Sequence, residues 1–117
     1  MSKSLKLAKY YLNKTLTVTV DRPLGSKHPK HDFEYLVNYG FLEGEKPPDG
    51  DDLDAYILGV NEPVVSFTGE CIAIVHRLKD DDDKLIVVPH EIDLSNEEIE
   101  KAIGFQEKWF EHEIVRN

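Results

Sequence analysis

Five short segments rich in β-branched and aromatic residues, each cut off by Gly, Pro or clustered charge, precede one segment of helical period. That order constrains the fold more than any other feature of the chain. Thr15-Leu16-Thr17-Val18-Thr19-Val20 alternates polar and apolar residues, which predicts a half-buried strand over Thr15–Asp21. Arg22-Pro23-Leu24-Gly25-Ser26 breaks it, and a loop runs on to Lys30. Phe33–Gly40 alternates aromatic and aliphatic residues and reads as a second strand. Gly44 to Gly50 is a Gly- and Pro-rich loop, and Ala55–Gly59 is a short, nearly all-apolar strand. Glu70–Leu78 and Lys84–Pro89 are two more, joined by Lys79-Asp80-Asp81-Asp82-Asp83 and placed to pair as a hairpin. Residues 1–10 read as a short basic helix or as an extra strand leading into the first.

The period then changes. Ser95-Asn96-Glu97-Glu98 has the form of an N-cap with acids in the first turn. Ile99, Ala102, Ile103, Gln106, Trp109 and Phe110 recur at helical spacing, which predicts a helix from 96 to 112 with Trp109 and Phe110 in the core. Strands followed by one helix imply a mainly β fold, a small barrel closed or plugged by a C-terminal α-helix. The length fits one domain over 1–117, with 1–14 as a basic extension that packs on another subunit or crosses the site.

The formal charge of −9 argues against nucleic acid and anionic membranes as partners. The apolar runs are too short to span a bilayer, and the chain opens with no recognisable leader. A lone Cys71 forms no internal disulfide, which suits a cytoplasmic protein. Charge is unevenly placed. Residues 1–31 carry Lys3, Lys6, Lys9, Lys14, Arg22, Lys27 and Lys30, and the acids gather at 43–54, 80–83 and 91–113.

Asp49, Asp51 and Asp54 stand at offsets of 0, 2 and 5 directly before an apolar strand. Carboxylates crowded this way repel one another unless a cation sits among them, and hard oxygen ligands favour Mg²⁺, Mn²⁺ or Ca²⁺ over Zn²⁺. The alternative is a solvated turn with Asp capping. An EF-hand does not fit, since Asp54 stands where Gly is required and Val60 where Glu is required. Asp80 to Asp83 form a second acidic loop, followed at once by Lys84. Two such loops facing each other hold two or more metals, and Lys84 then binds a bridging phosphate oxygen, the arrangement that two-metal phosphoryl chemistry needs. His28 and His31 flank Pro29-Lys30 and read as solvated loop residues or as ligands. His76 and His112 read as surface or packing residues, His112 on the helix, and no GxxxxGK[ST] phosphate loop is present.

The run DGDDLDA resembles the signature of soluble family I inorganic pyrophosphatases, in which Asp-x-Asp-x-x-Asp precedes an apolar strand. Tyr35-Leu36-Val37-Asn38-Tyr39-Gly40 resembles that family's Tyr-Pro-x-Asn-Tyr-Gly segment. Asp82-Asp83-Lys84-Leu85-Ile86-Val87-Val88-Pro89 resembles its Asp-x-Lys segment and following strand, and Trp109-Phe110-Glu111-His112 the aromatic part of its last helix. The order of the four agrees, and the resemblance covers residues 15 to 113. It implies a five-stranded OB-like barrel with a helix beside it, and Mg²⁺-dependent attack of an activated water on pyrophosphate. It further implies metal ligation by Asp49, Asp51, Asp54, Asp80 and Asp82, with Asp51 also the general base. Lys84 and Tyr39 would contact phosphate oxygens, as would Lys30 and Arg22; Asp21 falls where the family has an acidic residue. The chain departs from the pattern at Asp52, at Leu36 and at Glu113-Ile114, where the family carries a phosphate-gripping Tyr-Lys pair. Three functions follow: hydrolysis of pyrophosphate or a related phosphoanhydride by a homo-oligomer; a degenerate barrel that binds metal or a phosphorylated ligand without efficient turnover; and an acidic oligomerisation domain.

Overall fold

The computed structural model describes residues 3–42, 53–79 and 82–116. A helix α1 (Lys3–Tyr10) is followed by β1 (Thr15–Arg22), β2 (Asn38–Leu42), β3 (Asp54–Ile57), β4 (Ser66–Arg77) and β5 (Lys84–Val88), then α2 (Asn96–Glu107) and β6 (His112–Val115). The strands pair in the order β1-β2-β3-β5-β4, and β4 pairs back to β1, so five strands close on themselves. All neighbours are antiparallel except β3 and β5. Closing so few strands demands close backbone approach. A Cβ on Gly40 would lie 1.9 Å from the Thr19 carbonyl oxygen, and one on Gly69 would lie 2.3 Å from that of Val88. Irregular register at Val20/Arg22 and at Cys71/Ala73 supplies further bending.

Alternation along the strands sorts the apolar residues into two cores. Ala55 and Ile57 of β3 and Leu85 and Val87 of β5 join Leu16, Val18, Leu42, Cys71 and Ile74 in one cluster, to which α1 adds Leu5 and Ala8. Tyr56, Ile86 and Val88 face the other way and pack with Ile99 and Ile103 of α2. Strand β5 is therefore buried on both faces, which is why KLIVV reads as a continuous apolar run. The N-terminal segment is the basic helix, not the extra strand, and α1 packs on its own barrel.

Three boundaries differ from expectation, and each has a physical cause. The strand expected over Glu70–Leu78 begins at Ser66, because Ser66–Glu70 pair with β1. The strand expected over Phe33–Gly40 begins only at Asn38. Before it, Tyr35 bonds through its backbone to Gly25 and Ser26, and its ring joins a cluster that packs on α2. Buried Asn38 holds the excursion: its Oδ1 accepts from the backbone N–H groups of Leu24 and Val64, and its Nδ2 donates to the Glu62 carbonyl. The helix starts as expected, with Ser95 and Glu98 in a reciprocal capping box, but ends at Glu107 and not at 112. β1 pairs with β4 only as far as Glu70, which leaves the edge of Ile74–Arg77 open; β6 fills it and satisfies those backbone groups. His112 accordingly lies on a strand, and Trp109 and Phe110, expected in the core, turn outward at 67% and 37% exposure.

Candidate active site

The register of the parallel pair builds the site. Asp54 opens β3, Lys84 opens β5, and the two are in register. Registered residues of neighbouring strands project to the same face, so ammonium and carboxylate meet: Lys84 Nζ lies 3.0 Å from Asp54 Oδ2. Asp82, two residues before Lys84, shares its side and places Oδ1 3.0 Å from the same nitrogen. Asp83 takes the opposite side, 2.7 Å from His76 Nδ1. The acidic loop thus divides its charge between two faces, and Lys84, its side chain only 4% exposed, is held by two acids.

A second cation stands beside it. Arg77 ends β4; its Nη1 donates to Asp82 Oδ2 at 3.1 Å, and its Nε and Nη2 donate to the two oxygens of Glu107 at 3.0 and 2.8 Å. Glu107 is fully buried and also accepts from Tyr56 Oη at 2.6 Å, and Gln106 donates in turn to Tyr56 Oη. Burial alone would push the Glu107 carboxyl up, but the hydrogen bonds from Arg77 and Tyr56 hold it below the usual carboxylate range. The guanidinium lies 3.7 Å from the centre of the Phe110 ring. Burial, and then the neighbouring Asp54, push the Tyr39 phenol above its ordinary range; Tyr56 is raised by burial and by Glu107. Both phenols are therefore hydrogen-bond donors at neutral pH.

Asp54, Lys84, Arg77 and Tyr39 line a cleft of about 880 Å³ together with Asp21, Arg22, His28, His31 and the end of α2. Of the residues named from the sequence, the structure brings Asp54, Lys84, Tyr39 and Arg22 to the cleft and ties Asp82 to its two cations. Lys30 is exposed and does not line the cleft. His28 Nδ1 accepts the backbone N–H groups of both Lys30 and His31, and that turn sets the two histidines against the cleft. Asp49, Asp51 and Asp80 lie outside the described residues. Arg77, Glu107 and Lys108 were not foreseen. Glu107 did leave a signal: it continues the buried stripe Ile99–Ile103 by one further step of four, and an acid on such a stripe calls for a buried partner.

Among the described residues no three His, Cys, Asp or Glu side chains converge on a metal site. The Asp54 and Asp82 side chains keep 37% and 49% of their surface exposed beside the cleft, a hard-oxygen pair that suits Mg²⁺ or Mn²⁺ better than Zn²⁺.

A closed five-stranded barrel thus sets Lys84 and Arg77, each held by carboxylates, at strand ends beside one cleft. The family model for inorganic pyrophosphatase matches residues 3–114, and the chain belongs to that family. No curated protein matches it by sequence. Among solved structures it is similar to the inorganic pyrophosphatase of Ehrlichia chaffeensis, with a TM-score of 0.68 and 17% identity over 90% of this chain and 87% of that one. It is also similar to that of Coxiella burnetii, with a TM-score of 0.64 and 18% identity over 90% and 86%. The enzyme from Neisseria gonorrhoeae gives 0.59 and 21% over 78% and 70%. At these identities the likeness speaks for the fold, an OB-like barrel with one helix at its C-terminal side. Among the described residues no helix is long and apolar enough to cross a membrane.

Proposed function

We propose that the chain hydrolyses inorganic pyrophosphate to phosphate with Mg²⁺ as its cofactor, Mn²⁺ being able to replace it. Membership of the inorganic pyrophosphatase family supports the reaction. The observation that carries it is the buried Lys84 ammonium held 3.0 Å from each of two carboxylates beside the cleft, with Arg77 next to it. Asp54 and Asp82, with Asp49, Asp51 and Asp80, hold the cation. When bound, the cation supplies Lewis acidity to water and to phosphate oxygens. Lys84 and Arg77 bind the substrate's oxygens and stabilise the negative charge that grows on the departing phosphate. Arg77 retains N–H groups for this after its three bonds to Asp82 and Glu107. Tyr39 donates its phenolic proton as a hydrogen bond and keeps it, because its acidity is suppressed. Asp51 takes the proton of the attacking water, and Arg22 holds the far end of the substrate. The protein acts as a soluble cytoplasmic homo-oligomer.

Phosphate release from pyrophosphate in the presence of Mg²⁺ tests this. Loss of a general base predicts that Asp51→Asn is slower by about a hundredfold or more. Equal rates in the two proteins, or no release from either, would refute the proposal.

A further inference from the structure

The cleft is more aromatic than a bare pyrophosphate needs. At about 880 Å³ it lies within the roughly 300–1,000 Å³ range of sites that enclose drug-sized organic molecules. Pyrophosphate offers only charged oxygen and no surface to bury against a ring, yet Phe33, Tyr35, Phe105, Trp109 and Phe110 all line the cleft. Some of these rings have a structural task. Tyr35 is 2% exposed and packs edge-on against Phe105 at 5.7 Å, and Phe33 meets Phe105 at 6.0 Å; these contacts tie the excursion before β2 to α2. Trp109 has no such task. It is 67% exposed, and its only close aromatic or cationic neighbour among the described contacts is the Lys108 ammonium, 4.8 Å from the ring centre. An open indole on the same cleft as Lys84 and Arg77 offers a face on which a planar base can stack.

We propose that the cleft takes nucleoside diphosphates: the anhydride on Lys84 and Arg77, the base on Trp109. Lys108 and Arg22, at the margins of the same cleft, complement the charge of the anhydride. His28 adds a directional contact. Its Nδ1 is occupied as acceptor by two backbone N–H groups, which leaves the ring proton on Nε2 as a donor to a base carbonyl or ring nitrogen. The reaction on such a substrate is the one proposed above, on a larger molecule. Water adds to the terminal phosphorus and the bond from that phosphorus to the bridging oxygen breaks. Nucleoside monophosphate and phosphate leave, and the proton taken from the water is in the end released to solvent. This inference rests on the pyrophosphate reading and extends it.

Trp109 is the sole tryptophan, so its fluorescence reports stacking directly. The probes are adenosine diphosphate with a methylene group in place of the bridging oxygen, methylene bisphosphonate, and adenosine, each titrated with Mg²⁺ present. Saturable quenching by the nucleotide analogue without quenching by the bisphosphonate is expected, with the nucleotide binding at least about tenfold tighter. By calorimetry, Trp109→Ala lowers the ratio of nucleotide to bisphosphonate affinity by about tenfold, and Trp109→Phe restores most of it. Equal affinity for the nucleotide and the bisphosphonate, or a ratio that Trp109→Ala leaves unchanged, overturns this inference while the pyrophosphate reading stands. Binding of neither phosphorylated probe overturns both.

Discussion

Replacing Glu107 by Gln keeps the shape of the side chain and removes its charge, and the structure fixes what that costs. Both carboxylate oxygens are engaged: Oε1 by Arg77 Nε at 3.0 Å, and Oε2 by Arg77 Nη2 at 2.8 Å and Tyr56 Oη at 2.6 Å. A glutamine oxygen can occupy one of those places, but its NH₂ group must then occupy the other and face a donor. One charge-assisted bond is lost outright, worth about 1.5–3 kcal/mol, and the remaining one weakens. Arg77, with its side chain 8% exposed, keeps only half-exposed Asp82 as counter-charge. Removing one member of a buried pair costs about 3–5 kcal/mol; the retained bond and Asp82 place Glu107→Gln near the lower end, at about 3 kcal/mol. Urea unfolding followed by far-UV circular dichroism measures it. With a slope of about 1.5 kcal/mol per molar, the midpoint falls by about 2 M. Arg77→Met costs a similar amount, and the double variant costs less than the sum by about 2 kcal/mol, because neither charge is then left alone. A midpoint shift below about 0.3 M for Glu107→Gln, or additive single variants, would refute the reasoning. The sign with pH follows from a carboxyl held below its unfolded value. Its contribution is present above the unfolded pKa and is lost as pH falls through the folded one, so the wild type loses stability in acid along a limb that Glu107→Gln lacks.

Three further outcomes are expected. Asn38→Ala strands two backbone N–H groups and one carbonyl and costs about 2–3 kcal/mol in urea unfolding, whereas Leu36→Ala nearby, at an exposed position, costs under about 0.5 kcal/mol; equal costs would mean that Asn38 is no staple. His112 has an acceptor at each ring nitrogen, the Phe110 carbonyl at 2.8 Å and Glu100 at 2.5 Å. Burial lowers its pKa, but those bonds outweigh burial and raise it, so its contribution is full below the unfolded value of about 6.5 and is lost as pH rises through the folded one. Glu100 is 44% exposed, so the contribution is at most about 1 kcal/mol, and it should vanish from the pH profile of His112→Asn. Ser95→Ala removes the helix cap and costs about 1 kcal/mol, read from the same unfolding curves.

The fold was legible wherever one local signal decided the structure. The alternation of Thr15–Val20 and the unbroken apolar runs of β3 and β5 mark strands because each residue's side is set by its own position. The reciprocal cap at Ser95 likewise needs only four residues. Signals failed where a distant partner decided. Tyr35 and Val37 carry a strand's alternation, but the ring of Tyr35 found its neighbours on α2, and so the strand starts late. His112–Val115 carries no strong strand signal; it pairs because β4 is longer than β1 and leaves an edge to fill.

The site divides in the same way. Asp54, Asp82 and Lys84 could be read from the sequence because two acidic runs and a lysine stand at strand ends. Arg77 and Glu107 could not be paired from sequence, since thirty residues separate them. Of that pair, Arg77 lines the cleft and Glu107 lies buried behind it. Glu113 and Ile114 stand where the resemblance expects a second phosphate-gripping pair, and the structure shows why no cation serves there: the helix ends at Glu107, and both residues belong to a strand, with Ile114 packed toward the α2 core. The same early end places Lys108 on the cleft and stacks Phe110 under Arg77. The Arg77 guanidinium spans Glu107 and Asp82 and keeps further N–H groups beyond those three bonds. From the end of β4, Arg77 brings a guanidinium to the cleft, held by an acid on the last turn of α2.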